Sequence, residues 1–356
     1  MASKLFPTTV VGSMPRPQHI KDLINDQISQ NISTEEFQRA IDRAIPYIVQ
    51  IQEIAGIDII SDGEWGRKSY VGIIADICSG FDLTTREVNG EQQTWHTVTN
   101  ILQVINPGQA ANEAKRLKKH TENDIKIALP SPYLLSERMW EQKISVNAYP
   151  TKQAFTESLI PIIRTELISL RDEGVTIAQF DDPQLCLLAD PSISKNFEDV
   201  DQEIDYSINV LNRTVDGIDG MRFALHLCRR NKGRSGWIGE GGYGPIVPAL
   251  NDLTFDMLML EFAIPVAGDK RILSSLSHKF DIGLGCVDCR SPHIDTPEEI
   301  VARVEEALNF IAAERIYLHP DCGFAPGSAA DIPIDEAYRK IRNLSLAAKI
   351  LREKYG

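Results

Sequence analysis

Arg222-Phe223-Ala224-Leu225-His226-Leu227-Cys228-Arg229-Arg230 reads as a short buried strand that runs into a polar loop. In a strand, residues i and i+2 face the same way, so His226 and Cys228 project together from its C-terminal end. A neutral imidazole and a thiolate are ligands that zinc prefers, and a catalytic zinc site takes about three protein ligands and keeps one position open. The same two side chains also fit a packed core, because free cysteine behaves as a small apolar group. What the other strand ends carry separates the two readings.

Outward from this stretch, apolar and β-branched runs recur at 6–14, 57–60, 125–130, 175–180, 255–262, 281–288 and 315–318, which with 222–228 makes eight strands. Helical patterns fall between most of them, near 17–28, 33–54, 69–78, 108–119 and 199–217, and from about Thr151, Thr296 and Asp335 onward. Thr296-Pro297-Glu298-Glu299 combines an N-cap threonine, a proline at the first helical position and a glutamate three residues on. Residues 81–107 break the alternation with a polar, Thr- and Gln-rich excursion that reads as a hairpin. Strand and helix in turn over this length predict an α/β chain folded as one (β/α)8 barrel, a single domain over residues 1–356. Such barrels keep their chemistry at the C-terminal ends of the strands. Ser13, Glu64, Asp181, His226, Cys228, Glu261 and Cys322 all sit at or just past such ends.

Composition narrows the partners. A net charge of -13 argues against nucleic acid and against an anionic membrane, both of which reward clustered Lys and Arg. The first residues carry no apolar leader core and no run approaches a membrane span, so a cytoplasmic location is expected, and a homo-oligomer is compatible with the composition. The six cysteines lack the regular spacing of a disulfide framework. Cys286-Val287-Asp288-Cys289 has CxxC spacing but lies on a strand, not at the helix N-terminus that a redox pair needs. Gly239-Glu240-Gly241-Gly242-Tyr243-Gly244 fits G-x-G-x-x-G, yet it neither follows a strand nor opens a helix, so it reads as a glycine-rich active-site loop.

In order and spacing the strand ends resemble the cobalamin-independent methionine synthase family, in its catalytic half and in the stand-alone proteins built from that half. The likeness rests on Val10-Val11-Gly12-Ser13-Met14-Pro15, Asp62-Gly63-Glu64, Gln179-Phe180-Asp181-Asp182-Pro183, His226-Leu227-Cys228, Gly283-Leu284-Gly285 with Ser291-Pro292, and Pro320-Asp321-Cys322-Gly323. The resemblance implies Zn2+ held by His226, Cys228, Glu261 and Cys322, with Glu261 as the displaceable ligand. It implies an amino-acid thiol whose carboxylate meets Ser13 and whose ammonium lies between Glu64 and Asp181. The implied reaction is S-alkyl transfer to a thiol activated as its zinc thiolate, with homocysteine as acceptor and methionine as product, as in the 5-methyltetrahydropteroyltriglutamate-homocysteine S-methyltransferases.

Arg290 stands where those synthases have a histidine before the Ser-Pro, and a guanidinium cannot act as a general acid at working pH. Arg290 and Asp288 are nonetheless the candidate catalytic residues there, and Arg290, Arg229 and Arg230 are suited to an anionic group. Arg229 and Tyr243 are candidate substrate contacts, in a segment that resembles the stand-alone branch with its epoxide:coenzyme M transferases. A folate-contacting aromatic stretch is not recognisable in 81–107, although Trp95 lies there. The alternatives on one scaffold are therefore an epoxide:thiol transferase, a carbon-sulfur lyase, and a zinc- or thiol-binding protein without turnover.

Overall fold

The two-residue period of the strands decides which side chains reach the centre of the molecule. The computed structural model describes residues 4–88, 91–325 and 332–356. Its strands are β1 (Ile59–Ile60), β2 (Cys78–Val88), β3 (Glu91–Val104), β4 (Asp124–Pro130), β5 (Ile177–Asp181), β6 (Arg222–Leu227), β7 (Met257–Glu261), β8 (Asp281–Val287) and β9 (Ile316–Pro320). Seven of them form one parallel sheet in the order β1-β4-β5-β6-β7-β8-β9. The ring is closed by the chain start. Thr8 and Thr9 bridge in parallel to Leu318 of β9 and Ile59 of β1, with Thr9 N donating to Leu318 O at 3.0 Å and Ile59 N donating to Thr8 O at 3.0 Å. The expected first strand over 6–14 shrinks to this bridge, because Pro7 has no N–H to give and the chain must turn at Gly12-Ser13.

Alternate residues on each strand split into two cores. Outward side chains such as Phe180, Leu225, Leu258, Leu284 and Leu318 pack against the surrounding helices. Inward ones form a small cluster of Val11, Ile59, Ile177, Ala224, Met257 and Met259 that plugs the barrel. By the same parity the next inward positions toward the C-terminal ends are Gln179 and Asp181 on β5, His226 on β6 with Cys228 beyond it, Glu261 on β7 and His319 on β9. All but Asp181 are buried, and Asp181 is half-buried. The polar ends of the strands thus stand on an apolar plug.

The helix at Thr296 has the capping box that its sequence announces, spanning Pro297–Leu308, and another begins at Ser33 with Glu36 and spans Thr34–Ala55. The final helix, Ile334–Tyr355, is tied to the chain start through Arg352, whose guanidinium donates to Leu5 O and Phe6 O, each at 2.7 Å. No helix among the described residues is long and apolar enough to cross a membrane.

The polar excursion is an antiparallel hairpin of β2 and β3. It starts earlier than expected: the helical pattern at 69–78 yields a helix only at Ile73–Ile77, because Cys78 already pairs with Val104. The hairpin is fastened to the barrel by Ser145 Oγ donating to Val98 O at 2.6 Å and by Leu102 N donating to Tyr149 OH at 2.9 Å.

Below the rim, Arg67 makes a two-pronged pair with Glu113, at 2.8 and 2.6 Å, and also donates to Ala128 O of β4 at 2.7 Å. Both side chains are almost fully buried, so removing one strands a charge in the interior. Glu113→Ala is expected to lower the unfolding free energy by about 3–5 kcal/mol, measured by urea denaturation; a loss below about 1 kcal/mol, the range of exposed pairs, would contradict the buried-pair account.

Candidate metal centre and substrate pocket

His226 and Cys228 emerge from β6 on the inner face, and Cys322 approaches from the loop after β9. That loop is held by Asp321 N donating to Val287 O at 2.9 Å and by Phe324 N donating to Ser13 O at 2.8 Å. One ligand atom from each of His226, Cys228 and Cys322 lies within 4.8 Å of the other two, and all three residues are buried. Among the described residues, neither ring nitrogen of His226 finds a hydrogen-bond partner of ordinary geometry. Burial, reinforced by the nearby His319 and Lys126, holds that imidazole well below its usual pKa, in the neutral form a metal requires. The hydrogen bond between the Cys322 and Cys228 thiols, together with burial, raises Cys322 well above its usual value. An orphaned buried imidazole facing two thiols is the donor set of a soft tetrahedral metal site. The residues present fit Zn2+.

The cluster opens into a cavity of about 510 Å³ lined also by Ser13, Glu64, Asp181, Tyr70, Trp95, Arg138 and Arg230. Of the three carboxylates that line it, Glu137 is paired with Lys152 at 2.6 Å, and Glu64 and Asp181 form its acidic side. Gly12 leaves room for the Glu64 carboxylate, since a Cβ there would displace Glu64 Oε1, and Gly323 makes the same allowance for Ser13 Oγ. Burial pushes the Glu64 carboxyl up to about 7 against the pull of Arg67. Asp181 is raised for the same reason, opposed by its hydrogen bond from Gln179 and by Lys126. Glu64 and Arg230 hold left-handed φ values of 57° and 59°, and such outliers cluster at functional sites.

Beneath Asp181 lies a relay that the sequence reading missed. Lys126 Nζ donates to Val11 O at 2.7 Å and to the amide oxygen of Gln179, and Gln179 Nε2 donates to Asp181 Oδ1 at 2.7 Å. A lysine second in the apolar run Ile125-Lys126-Ile127-Ala128-Leu129 was the visible sign, since a strand buried on both faces has no ordinary place for an ammonium. The opposite wall comes from the hairpin: Trp95 stacks under the Arg138 guanidinium at 4.3 Å, near Tyr70.

Ser13, Glu64, Asp181, His226, Cys228 and Cys322 are therefore brought into one cavity, whereas Glu261, Arg229, Tyr243, Arg290 and Asp288 do not line it. Arg229 follows Cys228 and so points to the other face. There it donates to Gly241 O at 3.0 and 2.8 Å and to Tyr243 OH at 3.0 Å. Tyr243 OH donates to Leu227 O at 2.9 Å and accepts from Glu261 N at 2.8 Å, joining the ends of β6 and β7. Asp288 accepts from the Arg290 N–H at 2.8 Å as a turn cap, and Arg290 is paired with Glu261.

A closed parallel barrel whose mouth gathers an imidazole, two thiols and two carboxylates defines an enzyme scaffold with a candidate soft-metal centre. Residues 6–349 match the family described as cobalamin-independent synthase, catalytic domain, and the chain belongs to that family of methyltransferases. A methionine synthase of Sulfurisphaera tokodaii is 27% identical over 359 residues, covering 98% of this chain and 94% of that protein. One of Pyrococcus abyssi is 28% identical over 362 residues, covering 99% and 95%. The fold is also that of the B12-independent methionine synthase of Shewanella sp. W3-18-1, solved with selenomethionine, at a TM-score of 0.81 and 23% identity with 98% of each chain covered.

The cluster generates a direct expectation. Purified protein reconstituted with zinc should hold about one ion per chain, and Cys322→Ser should weaken zinc by more than the about 10–100-fold that outer-shell changes cost. Equal zinc content and affinity in the two proteins would show that the three residues do not act as one site.

Proposed function

We propose that this enzyme is a zinc-dependent methyltransferase that methylates the sulfur of homocysteine to give methionine. What carries the reading is the meeting, in one cavity of a family member, of the His226/Cys228/Cys322 group with Ser13, Glu64 and Asp181. The relatives' names add methionine as the product. Zinc bound there would favour ionisation of a substrate thiol near neutral pH, and the thiolate is the nucleophilic form of sulfur.

The chain's own residues supply recognition. Glu64, buried, and Asp181, half-buried, face the ammonium of the amino acid, while the Ser13 hydroxyl donates to its carboxylate. Gln179, held by Lys126, keeps Asp181 oriented so that the ammonium meets a prearranged oxygen. The sulfur then takes the methyl carbon as the bond from that carbon to the donor breaks, and the electron pair stays on the donor. Trp95, Tyr70 and Arg138 form the wall against which the donor would lie. Arg290 stays protonated, with Glu261 beside it, so the proton that the donor takes up does not come from that guanidinium.

The reaction is tested by incubating the zinc-loaded enzyme with homocysteine and, separately, methylated folates and methylcobalamin, and measuring methionine by mass spectrometry. Methionine from at least one donor, abolished by Cys228→Ser, is the expected result; no methionine from any of them by an enzyme that binds zinc and homocysteine would contradict the reading.

A second expectation concerns pH. Because Glu64 titrates at about 7 in the free protein and only its ionised form attracts an ammonium, affinity for methionine should rise with pH and level off above that value. Each unit below it, down to about 6 where Asp181 begins to titrate as well, should weaken binding by about tenfold, and Glu64→Gln should flatten the profile above about pH 6. Binding by the unaltered enzyme that stayed constant from about pH 5 to 8 would place the ammonium elsewhere.

A further inference from the structure

Glu261 is the one residue of the implied ligand set that the structure occupies with something else. Its carboxylate is fully buried and both oxygens are engaged: Oε1 accepts from Arg290 Nη2, and Oε2 accepts from the Arg229 backbone N–H at 2.9 Å and from Arg229 Nη1 at 3.3 Å. We propose that Arg290 and Arg229 hold Glu261 out of the metal's coordination shell, so that His226, Cys228 and Cys322 are the complete protein ligand set and the fourth position stands open to the substrate thiol. The inference rests on the zinc-dependent reading above and sharpens it.

Three features make the clamp stiff. Arg229 cannot follow a moving carboxylate, because its guanidinium is fixed by Gly241 O, by Ala267 O at 3.2 Å and by Tyr243, whose ring centroid lies 4.4 Å away. Arg290 has nowhere else to turn. Among the described residues its Nε and Nη1 atoms make no hydrogen bond, and the other neighbouring carboxylate oxygen, Asp321 Oδ2, stands 4.0 Å from Nη1. Asp321 cannot close that gap freely, since its Oδ1 accepts from the backbone N–H groups of Phe262 and Ala263, each at 3.0 Å.

If Glu261 moved to a metal, a permanently charged guanidinium with 3% exposure would lose its closest anionic contact among the described residues and keep only Asp321 Oδ2 at 4.0 Å. A buried charge left without its partner is strongly unfavourable. Consistent with this, no carboxylate oxygen of the described residues joins the group of ligand atoms that lie within 4.8 Å of one another at His226, Cys228 and Cys322. The consequence is chemical. An incoming thiol would enter an open position without first displacing a ligand, in a site where Arg290 offsets part of the charge of two thiolates.

The test is the crystal structure of the zinc-loaded enzyme, with the ion located by anomalous scattering, beside that of Arg290→Met. In the unaltered enzyme zinc is expected on His226, Cys228 and Cys322 with solvent in the fourth position and Glu261 still against the two arginines. In Arg290→Met the released oxygen is expected within about 2.0–2.2 Å of the ion. Glu261 bonded to zinc in the unaltered enzyme would overturn this inference while leaving the zinc reading intact, and so would a Glu261 that stays in place in the variant. Absence of zinc from the three-residue group would overturn both.

Discussion

The rim of this barrel depends on a backbone constraint: successive side chains of a strand point to opposite faces. One residue of slip in β6 would turn His226 and Cys228 outward into the apolar layer occupied by Leu225 and Leu227 and bring Arg229 into the cavity. Register is held from below by the inward cluster of Ile177, Ala224, Met257 and Met259, and from the side by pairing of Asp181 with His226 and of His226 with Met259. The same parity that presents two ligands inward sends Arg229 to the far side, where with Tyr243 it braces the ends of β6 and β7.

On that frame the charges sort into two groups. One faces the cavity: Glu64 and Asp181, both raised in pKa by burial, over a lysine that partly compensates them. The other lies behind the candidate metal ligands: Glu261, Arg229 and Arg290, buried and joined through the two oxygens of Glu261. The first group is poised to change partners when a ligand arrives, because its carboxylates face open space. The second has no such freedom, which is why Arg290 serves better as a fixed counter-charge than as the acid its place in the family pattern suggests.

Much of this was legible in the chain. Seven of the eight expected strands, the capping box at Thr296 and the polar residues at strand exits follow from local patterns with a two- or 3.6-residue period, and the structure keeps them to within a few residues, while the run at 6–14 supplies only the bridges at Thr8 and Thr9. The helix expected at 69–78 was lost because pairing of Cys78 with Val104, a contact between distant residues, outweighs a local apolar pattern. Lys126 and Gln179 were passed over because their meaning lies in a hydrogen-bond relay between neighbouring strands. Arg229 and Tyr243 were candidate substrate contacts because their segment resembles the stand-alone branch, whereas side-chain alternation and the return of the glycine-rich loop leave both outside the cavity lining. Trp95 reaches the cavity only because the hairpin folds back over the barrel mouth, which no local signal encodes.

The central claim is that a substrate thiol loses its proton at the His226/Cys228/Cys322 centre. Calorimetric titration of homocysteine into the zinc-loaded enzyme at about pH 8, where Glu64 is already ionised and a free thiol is still mostly protonated, in buffers of different ionisation enthalpy, counts the protons released. The account predicts about one proton per bound homocysteine with zinc and none without it. Binding of homocysteine to the zinc-loaded enzyme with no proton release would contradict it.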